Sequence, residues 1–171
     1  DELMNREETE ENNLDHHTEI DSVKPKFKTK FGRTVLGGGG ITPDYIVSSG
    51  TITNYSIALN RNNLLYRFVR EFIDNGKFNK GKYTNVDQFL NDFTISEKDL
   101  NSFISYAEKN GVKLNRAEFV TDKNYIANRI KAFFARELFK DEGWYKVSLA
   151  DDKVFQKGLT LTEEAKKIPG F

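Results

Sequence analysis

The sequence predicts a mainly α protein, with an N-terminal β-hairpin and strand segment over about 26–47 followed by a helical domain of four to six helices. Three observations carry that expectation. Apolar residues alternate singly between Lys26 and Leu36, they recur at helical spacing from Leu65 onward, and turn-rich Ser, Gly and Asn clusters separate the stretches. At 171 residues the chain has the length of one ordinary domain with a tail, and 14 Phe within 13% aromatics can fill a core.

Residues 1–24 read as an acidic segment. Up to Asp21 the acids Asp1, Glu2, Glu7, Glu8, Glu10, Glu11, Asp15, Glu19 and Asp21 are opposed by Arg6. Its few large apolar residues keep no period, so it is expected to be mobile or to rest on a partner. Residues 25–48 are expected to form a hairpin and a strand. Lys26, Lys28 and Lys30 share one face, Phe27, Thr29 and Phe31 the other, and Gly32 supplies the positive φ of the turn before Thr34-Val35-Leu36. Pro43 biases Thr42 to extended backbone, so Tyr45-Ile46-Val47 is expected as a further strand.

Residues 49–168 are expected to be helical. Leu65, Phe68, Val69, Phe72 and Ile73 follow the i, i+3, i+4, i+7, i+8 pattern, and Asn75-Gly76 stops the helix. A short helix starts at Thr84 or Asn85 and carries Phe89, Leu90 and Phe93. Ser96 and Asp99 form a capping box, with Ile95 packing on Leu100, and Asn110-Gly111 ends that helix. A longer helix starts near Thr121 or Asp122 with Ile126, Ile130, Phe133 and Phe134 inward. After Gly143 the chain leads into a last helix bearing Val154, Phe155 and Leu159.

Composition removes several functions. Lys and Arg number 26, Asp and Glu 26, so no basic surplus exists to displace the counterions of a nucleic acid. No apolar run approaches the roughly 18 residues of a membrane span. Without Cys there is no thiol catalysis, disulfide or Cys-based zinc site. Gly37 to Gly40 lack the Lys and hydroxyl that must follow in a P-loop, and a strand or turn follows where a dinucleotide fingerprint needs a helix. Close backbone approach or positive φ explains these glycines better. His16-His17 among carboxylates reads as a polar tail rather than a metal site, and Ser48-Ser49-Gly50 as a turn without an elbow or base. No cofactor is expected.

Arg136 lies one turn beyond Phe133 on the same side of its helix and is expected to be partly buried. Asp152, or Asp151, is its expected partner in a structural ion pair between two helices. A site for a substrate carboxylate is the alternative.

The segment Lys26-Phe27-Lys28-Thr29, Gly32-Arg33-Thr34-Val35, Gly37-Gly38-Gly39-Gly40-Ile41, Pro43-Asp44 resembles the signature that closes the protease domain of C-terminal-processing (tail-specific) peptidases. Tyr106-Ala107-Glu108-Lys109-Asn110-Gly111-Val112, Ala135-Arg136-Glu137-Leu138-Phe139 and Val154-Phe155-Gln156-Lys157 resemble the family more diffusely. The resemblance implies a serine peptidase of the bacterial cell envelope, on the periplasmic side, with a Ser-Lys dyad. The family's serine elbow, its lysine and its PDZ-like segment lie upstream of the glycine motif, so no catalytic residue carries over to this chain. Gly32, Arg33, Gly37, Gly38, Gly39, Gly40, Pro43 and Asp44 are motif positions of structural kind.

On this reading the chain is a C-terminal piece. Its hairpin completes a protease-domain sheet, and its helical domain frames the cleft or docks a partner. The implied partners are the rest of the parent peptidase and, through it, polypeptide substrates. The edges over Lys26–Val47 can also pair between copies. The rival expectations are a free-standing helical interaction module and an independent hydrolase.

Overall fold

The structure, a computed structural model, describes residues 25–37 and 45–168. The acidic segment expected over 1–24, and Gly38, Gly39, Gly40, Pro43 and Asp44, lie outside the described residues. Among the described residues 65% are helical, in seven helices that follow a small antiparallel hairpin, which makes the protein mainly α. The chain divides into two compact units, one of residues 1–46 and 161–171, the other Val47–Thr160.

In the first unit β1 (Lys26–Lys28) pairs antiparallel with β2 (Thr34–Leu36), with Phe27 opposite Val35. Gly32, at φ +81°, makes the reversal that a side chain would strain. Gly37 donates its amide to the Pro25 carbonyl at 2.7 Å and lies under the Phe27 ring, which a Cβ would strike. The short helix α7 (Thr162–Ala165) belongs to the same unit, and its Glu164 carboxylate accepts from the Tyr45 hydroxyl at 2.9 Å. The strand expected over Tyr45-Ile46-Val47 does not form: these residues are irregular.

The second unit contains α1 (Asn54–Arg61), α2 (Leu64–Asp74), α3 (Val86–Asp92), α4 (Glu97–Lys109), α5 (Arg116–Ala150) and α6 (Lys153–Thr160). Leu59, Val69, Phe89, Phe103, Ile126 and Ile130 are fully buried where α1 to α5 meet. The expected stop holds at Gly76, at φ +68°. Asn85 caps α3, accepting from the Gln88 amide at 2.8 Å, and the Ser96–Asp99 capping box opens α4 with both reciprocal bonds.

α5 departs from expectation at both ends. It begins at Arg116, five residues before Thr121, because Asn115 accepts from the Glu118 amide at 3.3 Å and supplies the cap. Asp122 is instead buried, its carboxylate turned to α1. Helical conformation then runs to Ala150 except at Lys140, whose φ of 58° and ψ of −139° break it. In a straight helix, residues 135 and 143 would stand about 12 Å apart along the axis. Here Gly143 is so close that a Cβ would strike the Ala135 carbonyl oxygen, so the chain folds back at Lys140 and lays 141–150 along 116–139. No helix among the described residues is long and apolar enough to cross a membrane.

Candidate functional site

The expected pairing of Arg136 with Asp152 is absent: among the described residues no ion pair joins Arg136 to Asp152 or Asp151. The guanidinium is exposed and lies over Trp144, 5.6 Å from the ring centre. The indole face supplies what the carboxylate was expected to supply, without removing the cation from water. Asp152 caps α6, accepting from the Phe155 amide at 2.8 Å, and Asp151 accepts from the Asn128 side chain. The reversal at Lys140, invisible to a helical-wheel argument, is what carries Trp144 to Arg136.

Among the motif residues, Gly32 and Gly37 have the backbone roles described above. Arg33 closes the hairpin turn, its amide donating to Thr29 Oγ1 at 3.2 Å and its carbonyl accepting from the Thr29 amide at 2.8 Å. These are structural contacts.

A polar cluster that sequence reasoning missed joins α1 to α5. Asp122, 4% exposed, accepts from the Thr53 amide at 2.8 Å and the Thr53 hydroxyl at 2.6 Å. One turn earlier, Glu118 accepts from the Tyr55 amide at 2.6 Å. Two carboxylates at i and i+4 of α5 thus satisfy orphan amides at the start of α1 and meet its positive dipole end. Burial works against the Asp122 charge, but the hydroxyls of Ser56 and Thr53 and the Thr53 amide outweigh it and hold the carboxyl below its ordinary range. The Ser56 hydroxyl favours that charge as a nearby dipole, while its Oγ lacks the geometry of a hydrogen bond. Burial, with the Glu108 charge behind it, pushes the Tyr55 phenol up to about 12. The sequence places the start of this helix near Thr121 or Asp122, which leaves Glu118 outside it and hides the i, i+4 pair that the earlier start at Arg116 creates.

Lys131 is half-buried over the Phe89 ring, and its Nζ donates to the Leu90 carbonyl at 2.9 Å. Burial lowers its affinity for the proton, opposed by the charge of Asp151. Among the described residues no serine hydroxyl hydrogen-bonds to it, and the buried Ser148 Oγ makes no hydrogen bond. The role of Lys131 is to tie α5 to an unpaired carbonyl in the last turn of α3.

One cleft, of about 330 Å³, opens between the end of α2, the 77–83 connection, the end of α3 and the start of α4. Its floor is aromatic: Phe78 lies 6.1 Å from Tyr83 and 5.6 Å from Phe93, and the cluster continues through Phe134. Gly76 ends α2 and aims Lys77 over the Phe72 ring at 6.0 Å, and Lys82 stands 5.1 Å over Tyr83. Asp92 and Asp99 lie across the opening, but Asp99 is committed to the Ser96 amide and hydroxyl. Such a cleft can take an apolar side chain beside an anionic group. No three His, Cys, Asp or Glu side chains converge as metal ligands among the described residues.

A protein-family model described as "Family of unknown function (DUF8443)" matches residues 55–141, which takes in α2 to α4, nearly all of α1 and α5 up to its reversal. No curated protein and no solved structure matches the chain.

Proposed function

The chain belongs to the DUF8443 family, whose function is unknown, and we propose that it is the non-catalytic C-terminal part of a C-terminal-processing serine peptidase. In this reading the hairpin extends a protease-domain sheet, and the helical unit frames the cleft or docks a partner, without activity alone. The observation that carries it is the hairpin itself. A two-stranded hairpin is marginal in water. Phe27 and Phe31 are each 58% exposed, Val35 39%, and β1 and β2 have no further strand beside them among the described residues. A larger sheet would supply both the missing edge and the missing cover.

A second reading, a free-standing interaction module, is favoured by apolar side chains exposed on the helical unit, among them Tyr145, Val154 and Phe155. The two separate on the gene and on the bench. The peptidase reading expects a serine elbow, a lysine and a PDZ-like segment encoded upstream of Asp1. It also expects the purified chain not to cleave a tail-bearing peptide, and to bind a peptidase domain that carries the dyad. A reading frame opening at Asp1 overturns it, as does hydrolysis by the chain alone that is lost with one of its own serines.

A further inference from the structure

The reversal inside α5 has the features of an exchangeable hinge. It rests on one residue, Lys140, held at φ 58° where a side chain is strained, and no loop surrounds it: 116–139 and 141–150 are both helical. The adjoining residues Glu137, Leu138, Phe139, Asp141 and Glu142 include neither Gly nor Pro. Local preference therefore favours helix straight through the hinge, and fold-back is imposed by contacts between the two arms.

Those contacts are specific and wholly noncovalent. Gly143 meets the Ala135 backbone, and Trp144 is held by Phe133, Arg129 and Arg136 at 5.0, 5.3 and 5.6 Å. Besides the contacts between the arms, Lys146 meets Asp87 of α3 at 2.9 Å, and Asp151, one residue past the arm, meets Asn128. The same surface on 116–139 accepts the same arm from a second copy without one new contact. An opened single chain would instead leave Val147, 3% exposed when closed, in water. Short strained hinges of this kind invite exchange.

We propose that the chain forms an arm-exchanged dimer, in which α5 runs straight through Lys140 as one helix of about 52 Å and 141–150 of each copy packs on 116–139 of the other. The hinge strain is relieved twice per dimer, which favours exchange, and mass action makes the dimer fraction grow with concentration. This dimer is independent of the peptidase reading and of any pairing through hairpin edges.

The test is to unfold the chain in denaturant, refold it across a series from micromolar to millimolar, and measure mass by light scattering. Wild type is expected to give a growing dimer fraction. Lys140→Gly, which relaxes the closed hinge, should weaken dimerisation by about tenfold per hinge, about a hundredfold per dimer, and Lys140→Val should strengthen it. Because the chain has no Cys, the Asn128→Cys/Asp151→Cys double variant reports connectivity directly. Oxidised after concentrated refolding, it should give a covalent dimer; oxidised after dilute refolding, a monomer crosslinked within itself. A chain that stays monomeric throughout, or a dimer indifferent to Lys140 whose disulfides form only within chains, overturns the proposal. The second outcome would assign association to another surface, the hairpin edges foremost.

Discussion

Phe103 and Phe27 show what separates the helical unit from the hairpin. Phe103 is fully buried, 5.3 Å from Phe68 of α2 in an edge-to-face pair. Phe27 is 58% exposed and lies over Gly37. One unit supplies the cover for its own apolar residues, and the other presents them. Burial of an aromatic ring is among the largest stabilising contributions a side chain makes, so the stability of this chain should reside in Val47–Thr160.

The sharpest way to break that contrast is a pair of truncations. Phe103→Ala should cost about 3–5 kcal/mol, the transfer free energy of the ring plus the cavity left behind. Phe27→Ala should cost less than about 0.5 kcal/mol, as exposed positions generally do. Chemical denaturation of both variants checks this. A loss at Phe27 comparable to that at Phe103 would mean that the hairpin is covered after all, in solution, by something other than the described residues.

A smaller effect compares two carboxylates. Asp122 is buried and bonded to Thr53, whereas Glu164 accepts from Tyr45 at an exposed position. Asp122→Ala leaves the Thr53 amide and hydroxyl without an acceptor and should cost about 2–3 kcal/mol. The acid limb carries the same information. The native pKa of Asp122 lies below the ordinary 3.8, so its charge contributes stability that is present above that value. The contribution is lost as pH falls through the lower native pKa. Thermal unfolding from neutral to strongly acidic pH should therefore show wild type losing more stability in acid than Asp122→Asn.

Most of the helical unit was legible because its signals are local. The stripe from Leu65 to Ile73, the Asn85 cap, the Ser96–Asp99 box and Gly76 each involve residues within two turns of one another, and each element formed where the sequence placed it. What escaped depends on partners far along the chain. Asp122 reads as a helix start until Thr53, 69 residues away, claims its carboxylate. Arg136 reads as half of an ion pair until a reversal at Lys140, where neither Gly nor Pro stands and which the nearby Gly143 marks only as a break, delivers Trp144. α1 was missed because Tyr55 and Leu59 make too short an apolar pattern and no side chain of its own caps it. The aromatic cleft was hidden for a related reason: its Phe residues read as core, and they are core, with only their outer edge forming its floor.

The smallest effect compares two local closures. Ser96 accepts from the Asp99 amide at 3.2 Å while Asp99 accepts from the Ser96 amide at 2.9 Å, a reciprocal pair at the head of a helix whose Leu100 and Phe103 are buried. In the hairpin, Thr29 Oγ1 accepts from the Arg33 amide at 3.2 Å at an exposed turn. Both remove one backbone donor from want, but water can replace Thr29 at once, and the free amide costs little there. At Ser96 the cap also fixes the angle at which α4 enters the core, so its loss is felt by the packing behind it. Ser96→Ala should cost about 1 kcal/mol and Thr29→Ala a few tenths at most. Amide hydrogen exchange would locate the difference: protection should fall across the first turn of α4 in the first variant. In the second, protection within Val47–Thr160 should not change, because the hairpin's closure supports no core of its own.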